Sequence, residues 1–147
     1  MERKYILGMI LIVILILAGI FAYFSLNGTF SSPTITTPEN YTVTNQGNNK
    51  ISITNGETNY TVQEMVGEKS IDSCFNDCFN KHNDSSRVVN DTMKIDDIPV
   101  KTLTYKNNNN KTVHTYYFYQ KGEKIYQLFA KGKYDKDTVE LLINSTK

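Results

Sequence analysis

The chain has no tryptophan and only two cysteines, two histidines and three prolines among its 147 residues. Two cysteines exclude a disulfide-dense mini-protein and a four-cysteine zinc module. A charge surplus is also missing: 16 Lys+Arg stand against 15 Asp+Glu. The first 26 residues hold Arg3, Lys4 and Glu2, so the remainder carries both signs in equal number. Nucleic-acid binding draws on surplus cations to displace counterions, so no nucleic-acid partner is expected. No Gly-X-Ser-X-Gly elbow, paired-histidine zinc motif, phosphate loop or dinucleotide-binding glycine run occurs, and neither an enzyme nor a cofactor is expected. Asp96-Asp97 is a poor acid pair, since neighbours on a strand point to opposite faces.

One long apolar run is present. Residues 5–26 carry no charge, although the whole chain is polar, with a mean hydropathy of −0.40. As a helix at 1.5 Å per residue the run extends about 33 Å, enough for a bilayer core of about 30 Å. Residues 1–4 then form a cationic cytoplasmic tip and 5–26 a single-pass signal-anchor helix. Tyr23 and Phe24 sit at its outer interface, and everything from Asn27 onward is extracytoplasmic. A cleaved signal peptide ending at Ala22 competes with this reading, against a bulky Ile20 and an over-long apolar run. Residues 27–49 read as a Ser/Thr/Pro/Asn-rich linker holding the domain off the membrane, with 41–45 ambiguous between linker and a first edge strand.

Residues 50–147 read as one extracytoplasmic domain. Lys50 to Thr54 alternates in strand fashion, Asn55-Gly56 suggests a two-residue hairpin turn, and Tyr60-Thr61-Val62 returns. Ile71, Cys74, Phe75, Cys78, Phe79 and His82 recur at helical spacing behind a Ser70 cap. Strand-like runs follow at 87–95, 98–105, 111–119 and 124–130, separated by Asp96-Asp97, an asparagine run and Lys121-Gly122-Glu123. A closing helix capped by Asp135 or Asp137 carries Val139, Leu142 and Ile143. The expected class is α+β: a transmembrane helix, then a curved antiparallel sheet of about six strands covered by two helices.

This element order resembles the PsbP-like fold. The run Thr115-Tyr116-Tyr117-Phe118-Tyr119 with Gly122 and Lys124 to Leu128 carries the likeness, as does the ending Leu142-Ile143-Asn144-Ser145. Short membrane-anchored proteins of methanogenic archaea are similar as well. The resemblance covers about residues 50–147 and implies a binding or scaffolding role without a shared active site.

Asn-X-Ser/Thr sequons fall at Asn27, Asn40, Asn59, Asn83, Asn90, Asn110 and Asn144. Asn27, Asn40, Asn83 and Asn110 lie in expected linker or loop and are the better candidates for N-glycosylation. An asparagine-rich composition is the plainer explanation. Cys74 and Cys78 allow three readings: small core side chains, a disulfide, or metal ligands together with His82 and His114. A thiol nucleophile at Cys74 with His114 is the weakest idea. Alternation places Tyr117 and Tyr119 on one sheet face, with Tyr116 and Phe118 on the other. One set is expected in the core; the other is either ordinary strand packing or a platform for an envelope polymer or protein partner. The sequence therefore points to a membrane-anchored, cell-surface, non-enzymatic domain for interaction or envelope structure. The alternative is a metal or redox accessory protein using Cys74, Cys78 and His82.

Overall fold

A computed structural model describes residues 13–16, 31–81 and 87–147. The chain divides into two units, Met1–Phe30 and Ser31–Lys147. In the first, residues 13–16 are helical. Among the described residues no helix is long and apolar enough to cross a membrane. The transmembrane helix, the signal-anchor and the single-pass placement expected from 5–26 are corrected on that finding. The other residues of that segment lie outside the described ones.

The second unit holds a seven-stranded sheet. Its strands are β1 (Thr42–Gly47), β2 (Lys50–Thr54), β3 (Asn59–Glu64), β4 (Arg87–Ile95), β5 (Ile98–Lys106), β6 (Thr112–Lys121) and β7 (Lys124–Lys131). Helix α1 (Ile71–Lys81) joins β3 to β4, and α2 (Lys136–Ser145) closes the chain. The order across the sheet is β1-β2-β3-β7-β6-β5-β4, and every pair is antiparallel. Two meanders are thus stitched together where β3 meets β7, with Tyr60 opposite Ala130 and Val62 opposite Leu128.

The antiparallel α+β class stands, but the strand count rises from about six to seven. The extra strand is β1, which covers most of the 41–45 segment left open between linker and first edge strand and settles it as strand. Asn48 and Asn49 both take positive φ, at 50° and 59°, between the paired residues Gly47 and Lys50. That is the backbone of a two-residue hairpin turn, and asparagine tolerates it. Upstream residues also belong to the domain. Thr34 and Lys147 exchange two backbone hydrogen bonds of 3.1 Å, Pro33 is buried, and Tyr41 packs on Tyr60. The Asn55-Gly56 turn differs from expectation too. The pair Thr54 and Asn59 encloses four residues, and the Asn55 side chain accepts from the Glu57 and Thr58 amides. The asparagine amide group thus builds an Asx turn in place of the tight hairpin.

Both faces of the sheet are core. On the first, Ile53, Tyr60, Val62, Val100, Tyr119, Tyr126 and Leu128 meet Val139, Leu142 and Ile143 of α2. Asp135 caps α2 by accepting from the Thr138 amide at 2.8 Å and hydroxyl at 2.9 Å. Thr146, past its end, shares a buried 2.9 Å hydrogen bond with the Tyr119 hydroxyl. On the second face, Leu103, Tyr105, Phe118 and Ile125 meet Cys74 and Cys78 of α1. Side chains one residue apart on a strand leave opposite faces, so the two helices sandwich the sheet. Tyr117, Phe118 and Tyr119 are 9 %, 0 % and 0 % exposed. Of the two readings of the second aromatic set, ordinary strand packing holds for Phe118, which α1 covers, and Tyr116 is half-buried.

Candidate functional site

Helix α1 forms because its apolar residues recur at three and four positions, and because Ser70 caps it. The Ser70 hydroxyl accepts from the Ser73 amide at 3.1 Å, and Asp72 favours the positive helix start. Ile71, Cys74, Phe75 and Cys78 face the sheet over β5 and β6. The Phe75 ring meets Phe118 edge-on with centroids 6.0 Å apart. Lys101 of β5 ties the helix down from its flank. Its Nζ pairs with the Asp72 carboxylate and lies 5.5 Å from the Phe75 ring centre. An ion pair this exposed adds little stability, so its role is to set direction.

A helix about 10 Å wide cannot roof a whole sheet, and ground is left open on both of its flanks. Towards β4 lie two cavities of about 340 and 360 Å³ that share Thr92 and Lys101. Ile71, Phe75 and Pro99 give this groove an apolar lining and Lys101 gives it a cation, while Met93 and Val100, which border it, turn their side chains into the first-face core. Towards β7 lies a cleft of about 210 Å³, lined by Met65, Glu68, Cys74, Cys78, Lys81 and Tyr116 among others. Beyond it runs an aromatic row. His114 stacks on Tyr105 at 4.7 Å and touches Tyr116 and Phe129 at 5.6 and 5.4 Å.

The thiols sit in the second cleft. Neither Cys74 nor Cys78 is in a disulfide, and both are buried. Burial pushes Cys74 up to about 11, with the Glu68 and Asp77 carboxylates adding to the rise. Burial pushes Cys78 to about 11 as well, although the nearby Tyr105 hydroxyl and Lys81 ammonium pull the other way. Tyr105 rises to about 12, chiefly through burial. Thiols held protonated at neutral pH are weak nucleophiles, which argues against the thiol-hydrolase idea.

The structure brings Cys74 and Cys78 onto one cleft and sets His114 in the aromatic row against Tyr105. His82 lies outside the described residues. Among the described residues no three His, Cys, Asp or Glu side chains come together as a metal-holding group. Of the sequon asparagines, Asn40 and Asn110 are exposed at turn positions with φ of 66° and 60°. Asn144 instead donates to the Asp96 carboxylate at 2.9 Å, and its sequon hydroxyl, on Thr146, is buried. Asn27 and Asn83 lie outside the described residues. Sequence reasoning missed Met65 and Lys101. Lys101 could have been found as the long cation interrupting Val100 and Thr102 in a buried strand; Met65 left no signal beyond following β3.

No family model matches the chain, and no curated protein matches it. Among solved structures, a protein from Bacteroides thetaiotaomicron VPI-5482 is similar at a TM-score of 0.44 and 15 % identity, over 80 % of this chain and 48 % of that one. This chain therefore spans about half the length of that neighbour.

Proposed function

We propose that the chain is a non-enzymatic interaction domain of PsbP-like arrangement whose partner, a protein segment, seats apolar side chains in the groove between α1 and β4. One observation carries the reading: the two cavities run into each other at Thr92 and Lys101, alongside the last strand of the sheet. The groove combines an apolar floor with a few polar groups, as binding sites do. Backbone pairing along the edge is discouraged at its centre. The Asp91 carboxylate accepts from the Thr92 amide at 2.7 Å, which blunts the edge against a further strand. Recognition by side chains in the groove is favoured over strand addition.

The test is amide chemical-shift mapping of the full chain against pools of peptides bearing aromatic and aliphatic side chains. Shifts are expected to gather at residues 69–75, 92–93 and 99–101, and to vanish in Phe75→Ala. Peptide binding confined to other surfaces overturns the reading. So do shifts at the groove from soluble polysaccharides alone, which would favour an envelope polymer as partner.

A further inference from the structure

Cys74 and Cys78 are one helical turn apart on the face of α1 that meets the sheet, and both line the cleft towards β7. Met65, just after β3, lines the same cleft and packs against the same buried cluster. Three sulfur side chains thus converge on one cavity of about 210 Å³. We infer that this cleft is a binding site for one soft monovalent metal ion, copper(I) or silver(I), held by the sulfurs of Cys74 and Cys78 with Met65 as third donor. The inference is independent of the groove reading, since the groove lies on the opposite flank of α1.

Spacing favours a bridging ion over a direct bond. Cβ atoms at i and i+4 of a helix lie about 5–6 Å apart, whereas a disulfide wants about 3.8 Å. Two metal–sulfur bonds of about 2.3 Å span up to about 4.6 Å between the sulfurs, so an ion reaches both without unwinding the turn. Donor chemistry selects the ion: thiolate and thioether are soft ligands that prefer copper(I) to magnesium, calcium or manganese.

Binding replaces two S–H bonds by two metal–sulfur bonds. It releases two protons and leaves a bis-thiolate of net charge −1, with Met65 adding a neutral donor. No electron is transferred. Lys81, which lines the cleft, faces that negative charge, and Glu68 and Asp77 line the same cleft and attract the incoming cation.

The experiment uses the full chain, reduced and kept free of oxygen. Copper(I) is titrated in competition with bicinchoninate, and silver(I) is tested for protection of the thiols against iodoacetamide. The expected results are one ion per chain, loss of retention in the Cys74→Ser/Cys78→Ser double variant, and at least about tenfold weaker retention in Met65→Leu. His114→Ala is expected to bind as the parent does. Silver(I) is expected to slow alkylation of both thiols in the unmutated chain, an outcome that needs no variant to fold. Retention in the double variant equal to the parent's overturns the site, as does failure to hold copper(I) against bicinchoninate. Unchanged alkylation under silver(I) overturns it too.

Discussion

Phe118 and Tyr119 are neighbours on β6, point to opposite faces, and are both fully buried. In a sheet with one solvated face, one of two such neighbours tolerates truncation. Here neither should. Phe118→Ala removes the ring that Phe75 of α1 packs on. Tyr119→Ala removes the ring that stacks on Tyr126 at 5.6 Å, and with it the hydroxyl bonded to Thr146. Deleting a buried aromatic side chain costs about 3–5 kcal/mol, the lost transfer free energy plus the cavity left behind. A domain's whole stability is about 5–15 kcal/mol, so each variant sits near the edge of folding. For about 100 residues, 1 kcal/mol moves Tm by about 4–8 °C, which makes each drop on the order of 20 °C. Urea and thermal unfolding followed by far-UV circular dichroism measure both. The paired controls are Tyr119→Phe, expected to lose only about 0.5–1.5 kcal/mol with its hydrogen bond, and Val113→Ala at a site 39 % exposed. If Phe118→Ala stays within about 1 kcal/mol of the parent, α1 does not pack on the second face, and both flanking clefts lose their basis.

Other perturbations have equally definite outcomes. Gly132 takes a φ of +100°, and a Cβ there would lie 2.2 Å from the Glu57 carbonyl oxygen. Gly132→Ala should therefore cost more than about 2 kcal/mol in urea unfolding, whereas Gly122→Ala, strained but in open space, should cost about 1–2. Asp135→Ala leaves the Thr138 amide without its cap and should cost about 0.5–2 kcal/mol, read from the same curves. With both thiols raised to about 11 from an ordinary 9, alkylation at pH 8 should run about 100-fold slower than in the urea-unfolded chain, before any steric protection is counted. The same shifts set a sign for stability. Between about pH 9 and 11 the unfolded thiols lose protons that the folded ones keep. The unfolded state then binds fewer protons, and stability should fall as pH rises through that window. Alkaline melts of the parent should steepen there relative to Cys74→Ala/Cys78→Ala.

Much of the sheet could be read from residues in contact with their sequence neighbours. Lys50 to Thr54, Asp96-Asp97 and Lys121 to Lys124 carry local turn and alternation signals, and each appears where expected. The stripe Ile71, Cys74, Phe75, Cys78 and the Asp135 cap were legible for the same reason. What was not legible depends on partners distant in the chain. β1 is polar and exposed along most of its length, so composition could not tell it from linker. Its pairing is set by a turn of two asparagines and by β2. Alternation reveals two faces on β6 but not which helix covers each, because α1 precedes β6 across β4 and β5 while α2 follows it across β7. The 5–26 run was read from its hydropathy, its cationic flank and its outer aromatics, but among the described residues no helix is long and apolar enough to cross a membrane. The clefts beside α1 depend on where a helix of eleven residues ends above the sheet, and no local pattern encodes that.

The claim on which the rest depends is that α1 lies across β5 and β6 on the face opposite α2. Aromatic nuclear Overhauser contacts in the full chain test it directly. The account predicts cross-peaks between the Phe75 and Phe118 rings and between Val139 methyls and residues of the first face, with none joining Val139 to Phe118. Cross-peaks from Phe118 to α2, or none from Phe118 to α1, would contradict it.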